Sequence, residues 1–340
     1  MYKSWTIIPC HRSEDRSESG SDCFREIMNG KVIAVCISEK KGTAKKEIPS
    51  ISLRPGHGIE GDAHAGNWHR QVSLLALEKI EDFRARGADV DFGAFGENII
   101  VEGFDLKALP VGTRFRIGDA LLELTQIGKE CHTHCAIYHQ VGDCIMPREG
   151  VFTVVLEGGE VKPGDGVELI EADPARPFTA AWITLSDKGA AGEREDKSGP
   201  LIEEILGGAG YDVVEGLLIP DEPEMLKAAL IRLADQRQVN LIFTTGGTGM
   251  SPRDMTPEAT AEVCDRMTPG IAEAVRAYSM TKTPKAMLSR AAAGMRGKTL
   301  IVNLPGSPKA VRECLEYLLG PLEHGLEIML ERDSECARPL

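Results

Sequence analysis

The chain is 340 residues long, with 27% charged and 42% hydrophobic residues, the balance of a globular protein of about two domains. Its net charge of -13, with no basic run to compensate, excludes a general nucleic-acid binder but leaves room for a small anionic ligand held by a local pocket of donors. No apolar stretch approaches the ~20 residues of a membrane span, and nine cysteines without a secretion signal point to free thiols in a reducing, cytoplasmic setting.

Residues 1–28 hold Trp5-Thr6-Ile7-Ile8-Pro9 and then a Ser/Arg/Glu/Asp run. They read as a disordered tail, or as an extension upstream of a natural start near Met28. Residues 29–171 read mostly as β. Strands are expected over 31–39, 71–76, 97–101, 114–117, 121–127 and 151–156, with turns at Gly118-Asp119 and Gly164-Asp165 and one helix over 77–86. Many short strands with few helices predict a closed or partly closed barrel.

Residues 172–177, with Pro174 and Pro177 in a short polar stretch, make a linker. Beyond it, in residues 178–335, the periods alternate. Strands are expected over 180–185, 212–218, 240–245 and 299–304, and helices over 198–206, 223–235, 257–266 and 307–319. That rhythm predicts a three-layer α/β domain with a mostly parallel sheet, whose ligands sit at the carboxyl ends of the strands.

One such end carries the most informative segment. The apolar run 241–243 empties through Thr244 and Thr245 into Gly246-Gly247-Thr248-Gly249. It continues past Arg253 and Asp254 to Thr256-Pro257, the expected cap and first residue of a helix. Bare backbone N–H groups on such a loop suit a phosphate, and Asp254 suits a metal that accompanies it. The spacing is neither a Walker loop nor GxGxxG, and a tight turn with no ligand is the alternative. Other polar turns are expected on the same rim: Ser186-Asp187, Asp196-Lys197-Ser198, Pro220-Asp221-Glu222, Ser289-Arg290, and Asn303-Leu304-Pro305-Gly306-Ser307. Asp221 alternatively caps a helix, and Asp187 and Asp196 form turns. The inventory of glycines, cations and carboxylates suits phosphoryl or nucleotidyl transfer, and no nucleophile–base pair stands out for covalent catalysis.

In the first half, Pro55-Gly56-His57-Gly58-Ile59-Glu60-Gly61-Asp62-Ala63-His64 reads as an oxyanion or metal loop, or as a glycine-shaped turn. Cys131-His132-Thr133-His134-Cys135, followed by His139 and Cys144, lacks the paired CxxC knuckles of structural zinc. A reactive thiol at Cys131, near Lys129 and His132, is the alternative to a set of inert core cysteines.

Two resemblances follow from these residues. The motifs at 218–222, 244–249, 253–257, 288–290 and 303–308, in that order, resemble the molybdopterin adenylyltransferase family, which includes the gephyrin G domain. This likeness implies transfer of AMP from Mg-ATP to molybdopterin, with Asp221 and Asp254 placing Mg²⁺ and nucleotide. It also implies that Ser186, Asp187, Thr245, Gly246, Gly247, Thr248, Gly249, Ser289, Arg290, Asn303, Pro305, Gly306 and Ser307 bind substrate, and that the domain forms a homotrimer. Gly58-Ile59-Glu60-Gly61-Asp62-Ala63-His64, Phe95-Gly96-Glu97-Asn98, Cys131 and the run 150–159 resemble the MOSC domain. That implies a β-barrel that binds molybdenum cofactor or handles sulfur through one cysteine, matched by Cys131 with Cys144 second. Both resemblances point to molybdenum cofactor biosynthesis, with molybdenum-insertion, sulfur-donor or molybdoenzyme partners. The alternatives are a non-catalytic cofactor carrier, a sulfurtransferase acting through Cys131, or a scaffold.

Overall fold

The computed structural model describes residues 29–129 and 144–332. The first half is a closed barrel. Strands β1 (Asn29–Ile37), β5 (Val72–Ala76), β6 (Ile99–Glu102), β7 (Arg114–Ile117), β8 (Ala120–Ile127), β9 (Val151–Glu157) and β11 (Gly166–Ile170) form one ring, in the order β11-β7-β8-β9-β5-β6-β1, closed by β1 against β11. All ring pairings are antiparallel except β5 with β6. Short β2 (Lys46–Ile48) lengthens one edge, and β3 (Ile51–Arg54), β4 (Gly58–Ile59) and β10 (Gly159–Val161) form a small second sheet.

Alternation sets the two faces of the barrel wall. Val72, Leu74, Ile99, Val101, Leu122 and Leu124 fill the interior, while Leu75 and Ile100 point outward under α1 (Leu77–Ala85), where Ile80 and Phe83 cover them. A bulge between Val32 and Ala34 shifts the parity of β1, so Val32 and Val35 face in while Ala34 and Cys36 face out. A one-turn helix, α2 (Met146–Glu149), leads back into β9.

The second half is three-layered. Its sheet runs β13-β12-β14-β17-β16-β15, from β12 (Thr179–Leu185), β13 (Asp212–Ile219), β14 (Leu241–Thr245), β15 (Arg266–Met267), β16 (Ala293–Arg296) and β17 (Thr299–Leu304). The first four strands in that order are parallel; β16 and β15 add an antiparallel edge. Both faces are buried, so the central strands read as continuous apolar runs. Ala180, Trp182, Leu241, Phe243, Leu300 and Val302 pack under α4 (Ser198–Gly208), α7 (Pro269–Met280) and α8 (Pro308–Met329). Ala181, Ile183, Ile242 and Ile301 pack under α5 (Pro223–Ile231) and α6 (Thr256–Val263).

The predicted barrel and the predicted mostly parallel α/β sheet are both present. Several details differ from expectation, among them strands β2, β3, β4, β10 and β11, which were not anticipated, and the helix expected over 257–266, which ends at Val263 before β15. Helix α8 runs ten residues beyond 319, through Pro321, because Leu322 and Leu326 continue the buried stripe of Val311, Leu315 and Leu318. Helix α7 and the β15–β16 edge were not anticipated. Thr256 does not cap α6: it is the first helical residue, and its hydroxyl donates to Gly246 O at 3.0 Å. No helix among the described residues is long and apolar enough to cross a membrane.

The two halves touch. The Val111 backbone N–H donates to Gln238 Oε1 at 2.9 Å, and β8 packs on the wide helical turn, residues 232–236, that extends α5. The segment expected as a linker is pinned: the Arg332 guanidinium donates to Arg176 O at 2.8 Å and stacks on Phe178 at 4.5 Å.

Candidate active site

The strand order places β13 on one side of β12, the first strand of this half, and β14 on the other. A crevice is expected where the chain's winding reverses, at the carboxyl ends of β12 and β14. The polar turns meet there. Ser186-Asp187 ends β12, Asp221 follows β13, the 246–249 loop follows β14, and Pro305-Gly306 follows β17.

The glycine loop needs its glycines for stated reasons. Gly246 and Gly247 have φ of 100° and 62°, a region closed to most side chains. A Cβ on Gly246 would strike Leu185 O, and one on Gly247 would strike Thr256 Oγ1. The loop's frame is held from behind. Thr245 Oγ1 donates to Pro305 O at 2.7 Å, and Arg290 Nε donates to Gly249 O at 2.7 Å while its other nitrogens reach Glu258 and Asp254 O.

Two carboxylates flank this loop. Asp254 Oδ2 accepts from Ser251 N at 3.2 Å and lies 2.8 Å from the position of a Cβ on Gly249. Asp221 Oδ1 lies 3.7 Å from the position of a Cβ on Gly247. Asp221 is tied to Asp187 reciprocally, each backbone N–H donating to the other's carboxylate at 3.1 and 3.0 Å. Arg253 braces the pair, 2.9 Å from Asp187 Oδ2 and 3.3 Å from Glu222 Oε1. Ser186 Oγ caps α3 (Asp187–Ala190), accepting from Gly189 N and from Arg194.

A cleft of about 420 Å³ opens beside the loop, a size that suits a small ligand. Gly246, Gly247, Thr248, Gly249, Asp254, Ser289, Pro305 and Gly306 line it, as expected from the sequence. So do Arg276, Ser279, Lys282 and Lys285, which sequence reasoning missed. A signal for Arg276 and Ser279 was present in the helical spacing of Ile271, Ala272 and Val275, which sets those two beside a buried stripe.

Other expected site residues sit behind the cleft. Asn303 is buried, and its amide is used inside: Nδ2 donates to Thr244 and Thr260 at 2.8 and 2.9 Å, and Oδ1 accepts from Ala292 N. Ser307 caps α8 by accepting from Ala310 N at 3.2 Å. Thr245 is buried, and Arg290 is committed to the loop backbone and Glu258. Asp196 accepts from Ser198 N and Gly199 N at the start of α4.

The loop of the first half is arranged otherwise. Asp62 is buried and accepts from Ser38 N, His64 N, Asn98 Nδ2 and Lys45 Nζ, the last at 2.5 Å with both side chains 1% exposed. Among the described residues no cluster of His, Cys, Asp or Glu is placed to hold a metal. Cys131, His132, His134, Cys135 and His139 lie outside the described residues. Cys144 is 8% exposed, packed in the cluster of Ile80, Phe83 and Phe152. Burial pushes the Cys36 thiol up to about 12, helped by the charges of Glu97 and Glu47.

The family described as a probable molybdopterin binding domain matches residues 181–324, and the MOSC domain matches residues 61–168. The chain is 41% identical over 166 residues to the molybdopterin adenylyltransferase of Helicobacter pylori, covering 46% of this chain and 94% of that protein. It belongs to the molybdopterin-binding family. The molybdopterin adenylyltransferase of Escherichia coli K12 is 42% identical over 136 residues, covering 39% of this chain and 70% of its own length. Among solved structures, a molybdopterin biosynthesis enzyme from Thermus thermophilus is 51% identical, covering 45% of this chain and 96% of that one, with a TM-score of 0.43. The MOSC domain precedes the molybdopterin-binding half on one chain.

Proposed function

We propose that this protein acts in molybdenum cofactor biosynthesis, its second half adenylylating molybdopterin at the expense of Mg-ATP. The observation that carries the reading is the pair Asp221 and Asp254, set on two sides of one glycine loop beside a cleft lined by Arg276, Lys282 and Lys285. The names of the relatives support it.

Two carboxylates without a preformed cage suit Mg²⁺ that arrives on ATP, since this ion keeps phosphate and water ligands and takes few from protein. An oxygen of the pterin phosphate attacks the α-phosphorus of ATP; the bond from that phosphorus to the bridging oxygen breaks, and pyrophosphate leaves. The loop N–H groups orient the phosphates, the three cations offset the charge that develops, and Asp221 and Asp254 fix the metal-bound nucleotide. The reaction needs no side-chain nucleophile.

The barrel's part in this reading is to hold the pterin or the maturing cofactor, with Cys131 as the residue that would carry sulfur. Exposed Met280, Met287 and Leu288 near the cleft support contact with a second copy of the chain, a trimer by expectation. A reducing cytoplasm fits Cys36, Cys264 and Cys314, which are thiols.

The test is pyrophosphate release from Mg-ATP with purified molybdopterin. Release should require molybdopterin and fall roughly 10²–10³-fold in Asp254→Ala, the scale for losing one preorganised charge-stabilising group. Tight molybdopterin binding without any release would replace this reading with a non-catalytic carrier.

A further inference from the structure

The seam between the two halves concentrates buried positive charge. Arg70 comes from the barrel, at the end of the loop before β5. Arg232 and Arg237 come from the wide turn after α5. Glu215 on β13 is the near acid, and it is already engaged by Arg232 through two contacts of 3.1 and 2.5 Å. Arg70 lies within electrostatic reach of both Arg232 and Glu215, and Arg237 within reach of all three. The next acid, Asp212, is exposed and acts more weakly on Arg237. His69 beside them is held neutral by burial and by Arg237, its pKa pulled down to about 4. Among the near groups three guanidiniums thus share one carboxylate, a surplus of two positive charges that exposed Asp212 offsets only weakly.

The donors are also unspent. Arg237 is 6% exposed, yet its Nε and Nη1 have no hydrogen-bond partner. Arg70 Nε is buried without one, although the guanidinium is held in place over Trp68 at 4.8 Å and Phe152 at 5.6 Å. A buried guanidinium nitrogen left without an acceptor is costly, and a second one within electrostatic reach adds to that cost. Packing alone does not account for them, because an apolar residue would fill the same space without that cost.

We propose that the seam is a binding site for a tetrahedral dianion, inorganic phosphate or the head of a phosphomonoester, clamped by Arg70 from the barrel and Arg237 from the α/β half. The planar fork of arginine matches the oxygens of phosphate, and a charge close to two units answers the surplus better than a carboxylate does. The occupant would bridge the halves and stiffen the seam that the Val111–Gln238 hydrogen bond already marks. This site is separate from the 246–249 loop and does not depend on the adenylylation reading.

The experiment is calorimetric titration of the full chain with inorganic phosphate while saturating Mg-ATP fills the glycine-loop site, in wild type, Arg70→Gln and Arg237→Gln. One phosphate per chain should bind to wild type, and its affinity should fall roughly tenfold or more in each variant, the loss expected for one charge-assisted bond. ATP affinity should be the same in all three. Methyl phosphate that competes assigns the site to a monoester head; methyl phosphate that does not assigns it to the free ion. Equal phosphate affinity in wild type and Arg70→Gln overturns the proposal, as does acetate binding as tightly as phosphate. Arg70 is half-buried, so its variant carries the test if Arg237→Gln does not fold. Failure to bind ATP counts against the adenylylation reading alone.

Discussion

Each half of the molecule has a glycine-rich loop with acids in it, and the two are put to opposite use. In the barrel, Asp62 is turned inward and its oxygens take hydrogen bonds from Ser38, His64, Lys45 and Asn98, so the loop is closed on itself. In the α/β half, the loop at 246–249 is braced from behind by Thr245, Thr256 and Arg290, and its front faces a cleft with Asp254 and three cations. A polar loop whose donors and acceptors are satisfied within the chain contributes to the fold; one whose backbone is fixed while its front stays open is prepared for a ligand. The difference is not visible in composition. It lies in whether the partner charge is supplied within the chain, as Lys45 supplies it to Asp62, or left for a ligand to bring.

The sharpest way to break the comparison is Asp62→Ala. Burial pushes the Asp62 carboxyl up, but hydrogen bonds from His64 and Lys45 and the charge of Lys45 outweigh it, so the group is held well below the usual carboxylate range. Removing it takes from buried Lys45 its 2.5 Å ion-pair partner, which costs about 3–5 kcal/mol. Chemical denaturation should show the barrel's transition at much lower denaturant, while pyrophosphate release by the α/β half is unchanged. Loss of release in a folded Asp62→Ala protein would mean that the barrel loop belongs to the reaction.

A pH titration sharpens the same contrast. Glu97 is fully buried beside Lys45, accepting from Gly93 N at 2.7 Å and Phe95 N at 3.0 Å, and burial raises its pKa from 4.5 to about 7. Because the folded value lies above the unfolded one, the folded state binds the proton more tightly. That stabilisation is complete below pH 4.5 and is lost as pH rises to 7, on the order of 3 kcal/mol in all. Asp62 acts with the opposite sign, its contribution present above its unfolded pKa of 3.8 and lost in stronger acid. The barrel should therefore be most resistant to denaturant near pH 4–5. Glu97→Gln should flatten the decline between pH 4.5 and 7; a decline that persists in that variant assigns the slope to another group.

Next in size is Gly247→Ala. At φ of 62° an alanine is disfavoured by about 1–2 kcal/mol, and its methyl would displace Thr256 Oγ1, which holds Gly246 O. The loop should shift, with the nucleotide KM raised and pyrophosphate release down roughly tenfold. The barrel's stability should not change. An unaltered KM would show that the loop's front does not touch the nucleotide.

How far the sequence could be read depends on how locally each feature is determined. Strands β12, β14 and β17 were legible because both of their faces are buried and the apolar run is unbroken. Strands β3, β4 and β10 were not, since two to four residues carry no period. The helix expected over 307–319 extends to Met329 with Pro321 inside it, because the burial of Leu322 and Leu326 outweighs the cost of the proline. At the rim, Asp221, Asp254 and the glycine loop were legible because strand ends in an α/β sheet share one edge. Arg276, Lys282 and Lys285 were not read, because Arg276 arrives on α7 and the two lysines in the segment just after it, and the place of both over the cleft is set by tertiary packing. The seam between Arg70 and Arg237 was out of reach for the same reason: neither residue has a local pattern, and only the docking of the halves brings them together.

The smallest expected effect tests that docking. Arg332 stacks on Phe178 at 4.5 Å and donates to Arg176 O at 2.8 Å, while Arg176 itself occupies the space a Cβ on Gly112 would need. These contacts tie the end of α8 to the connection between the halves and, through Gly112, to the barrel. Arg332→Ala removes one cation–π contact and one charge-assisted hydrogen bond at a partly exposed site, worth about 1 kcal/mol together. Neither half should lose its own stability, since both cores are built without it. Limited proteolysis is the suitable readout, because cleavage near 173–177 samples local opening more directly than global unfolding does. Faster cutting there, with unchanged denaturation of both halves, is the expected result. Equal cutting rates would place the restraint on the connection in the seam of Val111, Gln238 and Arg237 instead.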